Sequence, residues 1–79
     1  MIEENMKTIY ILHEAHQECD YNDCEVFTDY ETAKKFFGLT KKDIQLRNDI
    51  LEVYTDEDEE YYVQIDGDSI RLYITEHQL

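Results

Sequence analysis

The 79-residue chain has no proline, only two glycines and two cysteines, and seven basic residues against 20 acidic ones. Without proline, and with Gly38 and Gly67 as the only glycines, there is no linker composition and no glycine-rich phosphate loop. No nucleophile elbow or Ser/His/Asp set stands out either, and nothing separates a pair of carboxylates by environment, so catalysis is not expected. The apolar run nearest the N-terminus, Ile9 to Leu12, is four residues long and follows no basic leader, which excludes a signal peptide or a membrane span there. Two cysteines in a leaderless chain point to free thiols in a reducing cytoplasm.

Base is also missing from long stretches. No Lys or Arg occurs between Thr8 and Ala33, or between Asn48 and Ile70; Lys34, Lys35, Lys41, Lys42 and Arg47 lie together in the middle. The net charge of −13 exceeds the magnitude of about 2–8 that suits a small soluble domain. Such a field repels nucleic acid and anionic membrane and attracts basic protein surfaces.

What is present supports folding. A 42% hydrophobic fraction with seven tyrosines argues against disorder. The length suits one domain with a small core, residues 6–79, behind an N-terminal tail at Met1–Asn5 if Met6 is the natural start. Ile9–Leu12 reads as a buried central strand, and His13 to Asp23 as a polar loop. Cys24–Phe27 reads as a second strand, antiparallel to the first. Thr28 and Glu31 have capping-box spacing, and Tyr30, Ala33, Phe36 and Phe37 share one helical face, with Gly38 as the stop. Thr40 is positioned to cap a second short helix over Lys41–Arg47, or a single turn.

From Ile50 to Ile74 the pattern is strand-like with period two. A two-residue loop at Gly67–Asp68 pairs Ile65 with Ile70, Val63 with Leu72 and Tyr61 with Ile74, placing the aliphatics on one face. A loop over Thr55–Glu59 sets Val53 opposite Tyr61 on that face. The expected fold is α+β: one small domain with an antiparallel sheet of four to five strands, order β-β-α-(α)-β-β-β, and a helix packed on one face.

Two constellations carry possible chemistry. The first is the run of five acids, Asp56, Glu57, Asp58, Glu59 and Glu60, between two tyrosine-containing strands. Glu52, Tyr54, Glu60, Tyr62, Gln64, Arg71 and Tyr73 fall on the face away from the aliphatics. Tyrosine buries large area at small entropic cost and is enriched at binding hot spots. Alternate residues on a strand lie roughly 6.6 Å apart, comparable to successive phosphates, so a row of carboxylates can occupy positions a nucleic-acid backbone takes. The second constellation is His13, His16, Cys19 and Cys24, suitable as zinc ligands but with the spacing of no common finger. The plainer reading is a polar loop with reduced thiols, and no cofactor is expected.

The segments HEAHQECDYNDCEVFTDYE and NDILEVYTDEDEEYYVQIDGDSI contain no base, and a single capped helix lies near them. In composition and architecture the chain is similar to the small acidic phage proteins directed against host defence, of the DNA-mimicking anti-CRISPR type. The resemblance implies a non-catalytic inhibitor that binds the basic nucleic-acid-binding surface of a partner, such as a CRISPR effector. The contacts expected are Glu52, Asp56–Glu60, Asp66 and Asp68 on lysine and arginine, anchored by Tyr54, Tyr62 and Tyr73. Alternatives are an immunity protein or antitoxin capping a basic nuclease, and a small structural zinc module. No direct nucleic-acid or membrane contact is expected. The protein would be a monomer, or a homodimer paired through Ser69–Thr75 as an exposed edge strand.

Overall fold

A computed structural model describes residues 7–18 and 21–79; the Met1–Asn5 stretch and Cys19 lie outside them. The chain forms β1 (Thr8–His16), β2 (Tyr21–Phe27), α1 (Tyr30–Arg47), β3 (Glu52–Glu57), β4 (Glu60–Ile65) and β5 (Asp68–Gln78). The strands make one antiparallel five-stranded sheet in the order β2-β1-β5-β4-β3. The α+β expectation holds, with one helix rather than two. Among the described residues no helix is long and apolar enough to cross a membrane.

The core lies between α1 and one face of the sheet. Ala33, Phe37 and Ile44 from the helix meet Leu12, Tyr61, Val63, Ile65, Ile70, Leu72 and Ile74. Alternation places Tyr61, Val63 and Ile65 inward on β4 and Ile70, Leu72 and Ile74 inward on β5, as the period-two pattern requires. Phe36, read as core from its helical spacing, is instead 40% exposed and stacks on Phe27 at 5.3 Å.

The helix begins one residue later than the capping box suggests and ends nine residues past Gly38, at Arg47. Asp29 is the N-cap: its carboxylate accepts from the Thr32 amide at 2.9 Å and from the Thr32 hydroxyl at 2.8 Å. Those two bonds hold the Asp29 carboxyl below the usual range. Gly38 does not stop the helix because one mid-helix glycine costs only about 1 kcal/mol, less than the roughly 2 kcal/mol gained by burying an isoleucine such as Ile44. Asn48 supplies the stop, its backbone and side-chain N–H groups both donating to the Ile44 carbonyl, at 3.1 and 3.0 Å.

The polar His13–Asp23 stretch is mostly strand. β1 and β2 pair from Tyr10↔Phe27 to His16↔Tyr21. Polarity marks a loop only where backbone groups lack partners; here the neighbouring strands supply them, and outer strands tolerate polar side chains. The β4–β5 turn falls at Asp66–Gly67 rather than Gly67–Asp68, with Ile65 opposite Asp68 and Val63 opposite Ile70. Gly67 has φ +77°, the left-handed conformation that makes Asp-Gly a turn dipeptide. The register is two residues from the expected one, and a two-residue shift preserves every face.

β3 and β4 join through a tight turn at Asp58–Glu59, not a five-residue loop, and Val53 faces Val63 rather than Tyr61. A bulge between Val53 and Thr55 changes the register. β5 is not an edge: it lies between β1 and β4, so Ser69–Thr75 is unavailable for pairing two copies. The free edges belong to β2 and β3.

Candidate functional site

The acidic run is built into the β3–β4 hairpin and is largely held by cations and donors of the protein itself. Asp56 pairs with Tyr61 on the helix-covered face, where the Lys41 ammonium reaches its carboxylate at 2.5 Å and lies 5.0 Å from the Tyr61 ring centroid. Lys34 donates to the Asp58 carbonyl at 2.8 Å, and the Tyr30 hydroxyl donates to the Glu59 carboxylate at 2.5 Å. That bond, with burial and the charges of Glu59, Asp58 and Glu31, pushes the Tyr30 hydroxyl up to about 12. Arg71 donates to Glu60 at 2.7 Å across the other face. Among the described residues, the side chains of Glu57 and Asp58 alone in the run make no ion pair or hydrogen bond.

The tyrosines form two groups rather than one. Tyr54 and Tyr62 are in ring contact at 4.9 Å, and the Tyr54 hydroxyl donates to Gln64 at 3.1 Å. Tyr73 stacks on His13 at 4.5 Å with the rings 6° from parallel, and the Arg71 guanidinium lies 4.5 Å from the same Tyr73 ring centroid. An open concavity of about 590 Å³ beside the turn is lined by Glu57, Asp58, Glu59, Glu60, Arg71 and Tyr73, among others.

Edge strand β3 adds what the sequence pattern does not reveal. Leu51 is 62% exposed, Val53 52% and Tyr54 48%. Alternation marks Leu51 and Val53 as core residues, but they lie at the sheet margin and the bulge alters the strand beside them. The result is a short apolar stretch with Glu52 and Glu57 on the same strand, neither of which makes an ion pair among the described residues. Asp66 is exposed on the β4–β5 turn.

Asp68 is not a surface contact. It is 4% exposed, and its carboxylate accepts from the amides of Ser69 and Glu18, both at 2.8 Å, and faces His16 Nδ1 at 3.1 Å. Of the expected contacts, Glu52, Tyr54, Glu57, Asp58 and Tyr62 gather around β3 and its turn. Glu60 and Tyr73 lie across the hairpin with Arg71. Asp56 and Glu59 are committed to the helix.

Of the alternative zinc quartet, Cys19 lies outside the described residues, and the other three side chains do not gather on one face. Successive strand residues face opposite ways, so His13 shares the open face with Cys24, while His16 lies on the helix side between Glu14 at 2.7 Å and Asp68 at 3.1 Å. Among the described residues no three His, Cys, Asp or Glu side chains group as metal ligands. No family model, curated protein or solved structure matches the chain.

Proposed function

We propose that the protein is a non-catalytic binding protein that docks its β3 edge and acidic turn on a basic, nucleic-acid-binding surface of a partner protein and keeps nucleic acid off it. The supporting observation is the exposure of Val53 and Tyr54 on edge strand β3, and of Leu51 just before it, beside Glu52 and Glu57, whose carboxylates make no ion pair among the described residues. An apolar, aromatic centre inside a charged rim is the usual anatomy of a protein interface. The net charge of −13 selects a basic partner and repels nucleic acid itself. Lys34, Lys41 and Tyr30 preorganise the turn, so less ordering entropy opposes association. A CRISPR effector is one partner of this class.

The test is affinity capture from cell lysate with and without competing DNA and RNA. Wild type should retain nucleic-acid-binding proteins that competing nucleic acid releases, and a Glu52→Gln/Glu57→Gln/Asp58→Asn variant should retain far less. Captured proteins that do not bind nucleic acid, or are not released by it, would contradict the proposal.

A further inference from the structure

The open sheet face also carries a directed chain of polar groups that the docking surface does not use. Cys24 on β2 is exposed and its thiol is free, and its partner in the β1–β2 register is His13. Cys24 Sγ lies 3.5 Å from His13 Nδ1, His13 Nε2 lies 2.8 Å from Thr75 Oγ1, and Thr75 Oγ1 lies 2.9 Å from His77 Nε2.

Two opposite chains of donors satisfy every contact, and the one that starts from the thiol leaves His13 Nδ1 as the acceptor. In that one the thiol donates to His13 Nδ1, His13 Nε2–H donates to the Thr75 oxygen, and the Thr75 hydroxyl donates to His77 Nε2. There Thr75, accepting from Nε2–H, holds the imidazole with the Nδ1 lone pair on sulfur, the orienting role a third group plays in Cys–His and Ser–His systems. Tyr73, stacked on the imidazole at 4.5 Å, fixes the ring plane and presents a π face to the charge formed when Nδ1 takes a proton. Burial of the ring, and then the nearby His77, hold His13 below the usual histidine range, so the neutral, proton-accepting form prevails at neutral pH. Among the described residues, the titratable and charged groups on this face, tyrosines apart, are His77 and Arg71 on β5, Glu60 paired to Arg71 on β4, and Glu52 and Glu57 on β3. Asp23 and Glu25 flank Cys24 in sequence but alternate to the helix side.

We propose that Cys24 is a thiol primed by His13 for exchange with small disulfides, making it a covalent modification site. As Cys24 Sγ attacks one sulfur of R–S–S–R, its proton passes to His13 Nδ1. The new S–S bond forms as the old one breaks, and the departing thiolate recovers the proton from Nδ1. The products are a mixed disulfide at Cys24 and one R–SH, the incoming disulfide being the oxidant. The acidic surroundings favour a cationic disulfide over an anionic one.

The probe is cystamine, a dicationic disulfide, applied to a Cys19→Ser chain and followed by mass spectrometry. Adding His13→Gln should slow formation of the Cys24 adduct about tenfold at neutral pH. It should also remove the limb of the pH–rate profile that lies below the ordinary histidine range. Circular dichroism establishes that each variant is folded. If His13→Gln does not fold, Thr75→Val takes its place, with a slowing of about threefold expected from loss of the oriented tautomer. An adduct rate unchanged by the substitution, or no faster than that of the urea-unfolded chain, would overturn the proposal.

Discussion

Tyr30 is the residue through which the helix start and the acidic turn stabilise each other. Its hydroxyl proton is held by Glu59, and the raised pKa of about 12 means that the folded state favours the neutral phenol. The stability this contributes is complete below the unfolded value of 10.0 and is lost as pH rises toward about 12. Absorbance titration should therefore show one tyrosine ionising near 12, and Tyr30→Phe should remove that step and flatten the loss of stability above pH 10.0. Asp29 behaves in the opposite sense. Its depressed pKa contributes stability that is present above the unfolded value of 3.8 and disappears as pH falls through the folded value. Asp29→Asn keeps a capping side chain and should lose that acid limb in thermal melts. At Gly38, helical and with no heavy atom within 4 Å of an added Cβ, alanine should stabilise the fold by about 0.5–1 kcal/mol in chemical denaturation.

Among the elements, the second half of α1 depends on one buried side chain. Ile44 is 4% exposed and Leu46 80%. Ile44→Ala should cost about 2–4 kcal/mol and Leu46→Ala no more than about 0.5 kcal/mol in urea unfolding. Equal effects would mean that the helix beyond Gly38 is not packed as described. The same residues show where sequence reasoning stops. Ala33 and Phe37 were legible because the helical pattern around them is unbroken, and the inward faces of β4 and β5 were legible because alternation survives a two-residue shift of register. The continuous helix was not, since Gly38 is a local signal that the non-local burial of Ile44 outweighs. The central place of β5 depends on pairs such as Leu12↔Ile74, distant in sequence. At the site, the Tyr face could be read from alternation. The burial of Asp68, the commitment of Asp56 to Lys41 and the exposure of Val53 could not, because each depends on what another element brings alongside.

Over the whole molecule, charge and edges work together. The outer strands β2 and β3 carry Asp23, Glu25, Glu52 and Glu57, and like charges at both edges oppose sheet-to-sheet pairing of copies. A net charge of −13 on 79 residues also strains the folded state by self-repulsion. Added sodium chloride should therefore raise the melting temperature between low and physiological ionic strength. A fall would mean that internal pairs such as Lys41–Asp56 and Arg71–Glu60 outweigh the repulsion. The same field should govern binding, since charge at an interface rim acts mainly on the rate of encounter. The most direct measurement is the association rate constant for the captured partner, as a function of salt, for wild type and for Glu52→Gln/Glu57→Gln/Asp58→Asn. Wild type should associate about tenfold faster at low salt, and the difference should close as salt rises. Equal rates and equal salt slopes would contradict docking through the β3 edge and its acidic turn.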